Sequence, residues 1–99
     1  MVGESTREIF LALDLEDAFS LIESAGASIG KIISSSKITG TIEIKTRYGL
    51  QGVKLRVGLI PNERGTTVSI GGFGDDIWGG GARKGTDKLL KAIDQMSAD

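Results

Sequence analysis

The 99-residue chain contains no cysteine and no histidine. Without cysteine there is no disulfide, no thiolate nucleophile and no thiolate metal site, and without histidine the commonest general base and metal ligand is missing. These two absences exclude most catalytic templates and most transition-metal sites. We therefore expect a protein that is not an enzyme and that carries no cofactor.

Strong net charge and long apolar runs are also missing. The 12 basic and 13 acidic side chains nearly balance, so nothing in the composition favours a nucleic acid or membrane partner. The first residues, MVGESTRE, lack the basic start and apolar run of a signal peptide, and no apolar stretch approaches the ~20 residues that span a bilayer. We expect a cytoplasmic protein with a single domain covering residues 1–99.

Between Arg7 and Leu13, apolar residues occupy every second position, as in a strand. After Asp14 the apolar residues have the spacing of an amphipathic helix. Asp14 is a good helix N-cap, because its carboxylate can accept hydrogen bonds from the free amides of a first turn. Gly26 is typical of a residue that ends a helix. The pattern predicts a strand that leads into an amphipathic helix of about three turns.

The central segment predicts an antiparallel hairpin. For the two apolar sets to share a face, the numbers of paired residues must sum to an odd number. A type II′ turn at Gly49-Leu50 satisfies this and places Ile44 opposite Leu55, although a four-residue loop over 49–52 also does. The same register places Ile42 opposite Val57 and Glu43 opposite Arg56.

Shorter patterns complete the fold. Residues 31–35 predict a strand, residues 61–65 a turn, and residues 66–70 a last strand with Val68 and Ile70 facing inward. The chain is therefore expected to be α+β, with the order β-α-β-β-β-β-α and a curved five-stranded antiparallel sheet that carries both helices on one face.

Residues 71–85 read GGFGDDIWGGGARKG and contain seven glycines. If Asp75 or Asp76 caps the terminal helix, then Trp78, Gly81 and Gly85 lie on its inner face; if the glycines form a loop, the helix begins at Thr86. We favour the longer helix, ending near residue 96. In both cases the acidic pair is better explained as a turn and cap than as a metal site, and the segment lacks the order of residues of a phosphate-binding P-loop.

The aromatic and basic residues are further candidates for a binding site. We expect Phe73 and Trp78 to close the core. A basic cluster is more simply explained as a solvated face than as a nucleic-acid site, since Glu43 interrupts it and no aromatic residue is interleaved for stacking on bases. We expect no specific nucleic acid partner. The cluster comprises Lys37, Lys45, Arg47, Lys54 and Arg56, and the predicted register places the last four on the solvent face of the hairpin.

The order of elements along the whole chain resembles the TATA-binding-protein-like fold. It also resembles a shortened helix-grip fold of START and polyketide-cyclase-like proteins, as does the opening stretch Leu13-Asp14-Leu15-Glu16-Asp17-Ala18-Phe19, where a strand passes into a helix carrying an aromatic. The chain is about two strands shorter than a helix-grip protein, and it lacks the internal duplication and intercalating phenylalanines of a TATA-binding protein. The resemblance implies a fold and no ligand residue.

Two functional hypotheses follow. In the first, a small apolar molecule binds between the terminal helix and the sheet. In the second, the chain is a homo-oligomeric module, for instance a homodimer, that completes its sheet by pairing with itself. An enzymatic interpretation would depend on Asp75, Asp76, Tyr48 and Lys45 and is disfavoured. The expected ligand-binding residues of the first hypothesis are Trp78, Gly81, Ala82, Gly85, Leu55, Val57, Val68 and Ile70.

Overall fold

Five antiparallel strands form one open sheet, and two helices cover one of its faces. The computed structural model describes residues 3–74 and 80–97. The strand order is β1-β5-β4-β3-β2, so β1 and β2 are the two edges. This confirms the expected α+β class and order of elements. The elements are β1 (Gly3–Leu11), α1 (Leu15–Ile29), β2 (Lys31–Ser36), β3 (Thr41–Tyr48), β4 (Gln51–Asn62), β5 (Gly65–Gly74) and α2 (Gly80–Ser97).

The hairpin of β3 and β4 has the predicted register. Ile44 lies opposite Leu55, and Tyr48 opposite Gln51, so the turn contains only two residues. Gly49 has φ of 64°, and no residue other than glycine has a positive φ in the described part of the chain. That combination fits the predicted type II′ turn, which needs positive φ only at its first central residue.

The core lies between the sheet and the two helices. Alternate residues of β3, β4 and β5 point toward the helices and are fully or almost fully buried. Helix α1 contributes an apolar stripe around Phe19 and Ile22, and α2 contributes one around Leu89 and Ile93. The buried apolar strand residues are Ile42, Ile44, Val53, Leu55, Val57, Leu59, Val68 and Ile70.

Helix α1 begins where the sequence predicts and ends later. The Asp14 carboxylate accepts a hydrogen bond from the amide of Asp17 at 2.9 Å. The predicted end at Gly26 is wrong, since the helix continues to Ile29 and Gly30 caps it. Gly26 is buried against β3, where an added Cβ would lie 2.6 Å from Ile44 Cδ1. It is therefore a point of close helix–sheet approach.

The second half of the chain contains longer elements than expected. Strand β4 continues through Pro61 to Asn62, and β5 continues from Gly65 to Gly74. Thr86 lies inside α2 and is buried, so a helix beginning at Thr86 is wrong. The predicted caps Asp75 and Asp76 lie outside the described residues.

Replacing one inward residue of the hairpin by aspartate tests the assigned faces. We expect Ile44→Asp and Leu55→Asp each to unfold the domain, because an unpaired buried carboxylate costs several kcal/mol, which is comparable with the whole stability of a small domain. The matched controls Lys45→Asp and Lys54→Asp change outward residues and should remain folded. Thermal unfolding followed by circular dichroism measures this, and similar midpoints for all four variants would contradict the assignment.

Candidate functional site

The eight residues predicted to bind a ligand lie on both sides of the interface between α2 and the sheet, except for Trp78, which lies outside the described residues. Leu55, Val57, Val68 and Ile70 are fully buried on the inner face of β4 and β5, with Val57 opposite Ile70. The remaining residues, Gly81, Ala82 and Gly85, are buried on the facing side of α2.

At the described glycines, α2 lies very close to the sheet. A Cβ added to Gly72 of β5 would lie 2.8 Å from the carbonyl oxygen of Ala82, and one added to Gly85 would lie 2.7 Å from Val53 Cγ1. Both distances are shorter than van der Waals contact between such atoms. A ligand at these two points would require α2 to move outward. The predicted ligand site stays a prediction, and the contacts favour direct helix–sheet packing there.

Phe73 lies on the outer face of the sheet. Gly72 and Gly74 face α2, so the alternation along β5 directs Phe73 away from the helices, opposite Lys54 of β4. Its side chain is 40% exposed. The expectation that Phe73 closes the core is therefore wrong. The ring borders an open depression of about 520 Å³ that is also lined by Lys45 and Lys54.

A hydrogen-bonded charge network occupies the middle of the outer face. Glu43 Oε2 accepts hydrogen bonds from Arg56 Nη2 at 3.2 Å and lies 3.3 Å from Lys54 Nζ, while Ser34 Oγ donates to Oε1 at 3.1 Å. Arg56, then Ser34 and Lys54, hold the pKa of Glu43 below its ordinary value. This carboxylate therefore stays ionised and neutralises part of the basic face.

The predicted basic cluster divides between two sides of the molecule. The sheet register confirms that Lys45, Arg47, Lys54 and Arg56 share the outer face. Lys37 lies on the helix side instead, with Nζ 3.9 Å from Glu16 Oε1 and 6.0 Å from the centroid of the Phe19 ring. Alternation along the hairpin assigned a face to the other four cations and none to Lys37, because Lys37 lies in a turn.

The two edge strands of the sheet differ. β1 pairs with β5 over all nine of its residues without a bulge. β2 has only six residues, and its register with β3 shifts between Ile32 and Ser34. The pattern of apolar residues predicted both strands but not their position at the edges of the sheet. The α1 connection between β1 and β2 was the available signal, because such a crossover need not leave consecutive strands adjacent.

Three side-chain contacts attach β1 and the chain after it to the rest of the domain. Arg7 Nη2 donates to Asp87 Oδ1 of α2 at 2.8 Å, in an ion pair with both side chains about half exposed. Ser5 Oγ lies 3.4 Å from Thr86 Oγ1. Thr66 Oγ1 donates to the carbonyl of Leu13 at 2.9 Å. The edge strand is thus held to both α2 and β5.

Among the described residues, no group of three or more acidic side chains is arranged to hold a metal ion. No helix within the described ranges is long and apolar enough to cross a membrane.

Comparison of the sequence with models of protein families and with characterised proteins finds no match.

Replacing Gly85 by leucine tests the close contact of α2. We expect Gly85→Leu to destabilise the domain by roughly 1–3 kcal/mol or more, because overpacking against Val53 outweighs the better helix propensity of leucine. The matched control Lys84→Leu adds leucine at an exposed position of the same helix and should not destabilise. Urea unfolding of both variants beside the parent measures the change. An unchanged or higher midpoint for Gly85→Leu would reveal space beneath α2 and support the ligand hypothesis.

The lowered pKa of Glu43 predicts a pH dependence of stability. A carboxylate whose pKa is lower in the folded state stabilises the protein above its unfolded pKa, near 4.5, and loses that contribution as the pH falls through the folded value. The stability difference between the parent and Glu43→Gln should therefore be largest at neutral pH and shrink in acid. Urea unfolding across this range measures it, with Glu63→Gln as the control. A difference that does not depend on pH would contradict the assignment.

Proposed function

We propose that the chain is a non-catalytic interaction module that forms a homodimer through the edge of β1. The observation that carries this proposal is that β1 is a regular nine-residue edge strand without a bulge. Its outer edge presents backbone donors and acceptors that no strand of the described chain pairs. Such an edge is a template for another strand, and proteins usually protect it by bulges, charged residues or proline.

The opposite edge has two of these protections, a bulge and a charged residue. β2 is short and contains the bulge at Ile33, and it begins with Lys31. In β1 the two central charged residues are Arg7 and Glu8, and Arg7 is already paired with Asp87. β1 also carries Phe10, whose side chain is 51% exposed. A second copy beside β1 would bring further surface against this ring, so β1 is the better candidate for pairing.

The symmetry of a dimer limits how two β1 strands can pair. Antiparallel edge strands of identical chains are related by a two-fold axis perpendicular to the sheet. Residues opposite each other must point to the same face, so their numbers must sum to an even number. The helices of both copies then lie on the same side, and the two sheets join into one continuous sheet.

Charge and length select one register. An axis at Arg7 pairs all nine residues and places Glu8 opposite Thr6 of the second copy. An axis at Glu8 would place two carboxylates opposite each other, which destabilises a strand pair. With the axis at Arg7, the two facing guanidinium groups are each neutralised by their own Asp87 at 2.8 Å. We therefore propose the Arg7-centred register.

The resemblance to the TATA-binding-protein-like fold agrees with this proposal, because that fold is a duplicated unit and this chain has the elements of one half. The alternative, an apolar ligand between α2 and the sheet, has less support because Gly72 and Gly85 bring the two layers into direct contact. A cytoplasmic location stays a prediction from the sequence.

Cysteine cross-linking tests the dimer, since the native chain contains no cysteine. Facing Cα atoms in an antiparallel pair are about 4.5–5.5 Å apart, within the range of a disulfide. We expect Arg7→Cys to cross-link with its own copy under mild oxidation. Because this change also removes the ion pair with Asp87, a mixture of Thr6→Cys and Glu8→Cys is the second test. It should cross-link more than either variant alone.

The control is Ser35→Cys, which places a thiol on the opposite edge strand and should not form a disulfide-linked dimer under the same oxidation. Sedimentation equilibrium of the parent should show a dimer whose population rises with protein concentration. A monomer at every concentration, or cross-linking of the β1 variants no stronger than that of Ser35→Cys, would overturn the proposal.

A further inference from the structure

Four cationic residues from three elements line one depression at the β2 end of the molecule. Lys31 comes from β2, Lys45 and Arg47 from β3, and Lys88 from α2. The depression has a volume of about 490 Å³, and its other walls are Ile29, Gly30 and Thr46. None of the described residues that line it carries a carboxylate. Only the tertiary structure brings Lys88 beside the strand cations, since 41 positions separate it from Arg47.

None of these four cations has an acidic partner in the described part of the chain. The ion pairs there involve Arg7, Lys37, Lys54 and Arg56. The Nζ of Lys88 instead donates to the backbone carbonyl of Arg47 at 3.4 Å. Four uncompensated charges around one depression create a positive potential that attracts anions, in a chain whose total charge is only −1.

The partial negative charge at the nearby C-terminus of α1 does not account for this cluster of cations. The C-terminus of α1 carries about half a negative charge from the helix dipole, and one cation is enough to balance it. Two carbonyl oxygens of this last turn already accept other hydrogen bonds. Thr46 Oγ1 donates to the carbonyl oxygen of Ile29 at 2.7 Å, and the Gly30 amide donates to the carbonyl oxygen of Gly26 at 3.0 Å. The four cations exceed what the helix end requires.

We propose that this depression binds a small, multiply charged phosphate ligand, such as the polyphosphate group of a nucleotide or free polyphosphate. Lysines from β2, β3 and α2 supply positive charge, and the Arg47 guanidinium supplies a planar pair of donors that matches phosphate oxygens. A compact ligand fits better than a nucleic acid strand, because the four cationic residues line a single depression. Beside it on the outer face, Lys54 and Arg56 are already paired with Glu43.

The site lies at the opposite edge of the sheet from β1, so the inference does not depend on the proposed dimer. Failure of one leaves the other intact. The described residues of β1 do not line the depression, and none of the four cations belongs to β1.

Titration with tripolyphosphate tests the proposal. We expect saturable chemical-shift changes in a ¹⁵N-labelled sample at low ionic strength, where charges are little screened. They should centre on the amides of Gly30, Lys31, Thr46 and Arg47. The double variant Arg47→Gln/Lys88→Gln should weaken binding by about tenfold or more, because two of the four cations are lost.

The matched control is Lys84→Gln/Lys91→Gln, which removes the same charge from exposed positions of α2 outside the depression. Its dissociation constant should stay within about twofold of the parent, since distant exposed charges contribute little. Lys88→Gln and Lys91→Gln form a milder pair for the same comparison if the first double variant does not fold. Thermal unfolding of each variant establishes that it is folded.

Three results would overturn the proposal. The first is the absence of saturable shifts with tripolyphosphate. The second is equal weakening in the two double variants, which would indicate diffuse attraction to the whole surface. The third is a short oligothymidylate that binds more tightly than tripolyphosphate at equal phosphate concentration, which would indicate an extended nucleic-acid surface.

Discussion

The close contact between α2 and strands β4 and β5 is the constraint on which the rest of the structure depends. Gly72 and Gly85 have no side chains, so the helix backbone approaches the sheet to a distance at which an added Cβ would overlap its neighbours. In the packed structure Asp87 Oδ1 lies 2.8 Å from Arg7 Nη2, and Thr86 Oγ1 lies 3.4 Å from Ser5 Oγ. The same contact that closes the core therefore attaches the edge strand β1 to the helix layer.

This packing gives the two faces of the sheet different roles. Both helices bury the inner face, and the described residues place no second layer on the outer face. The network around Glu43 makes the middle of the outer face hydrophilic. In it Lys54, Arg56 and Ser34 all interact with one carboxylate. Phe73 is one of the apolar side chains exposed on this face, because glycines at 72 and 74 occupy the inner positions of β5 and the aromatic ring takes an outer one.

The two ends of the open sheet also differ, and the proposed functions follow this difference. At the β1 end the edge is long and regular, and its backbone groups are suited to another strand. At the β2 end the strand is short and bulged, and cations from β2, β3 and α2 surround one depression. Self-association at one end leaves the other end free for an anion, so a dimer would carry two such depressions at the far ends of one continuous sheet.

Local features of the sequence predicted much of the fold. The N-cap at Asp14 and the turn at Gly49 depend on residues within a few positions of each other, and alternation assigned the faces of the hairpin, including Ile44 opposite Leu55. Such features are encoded by side-chain period and turn chemistry, which act over short distances along the chain.

The candidate sites depend on contacts between residues that are distant in sequence. By itself, the sequence determined the order of elements, the register of the hairpin and the absence of cysteine and histidine chemistry. Only the tertiary structure decided that Gly26 lies inside a helix against Ile44, that β1 and β2 are the edges, and that Lys88 joins Lys31, Lys45 and Arg47. The physical reason is that helix–sheet distance and strand order are set by packing of the whole core, which no local pattern specifies.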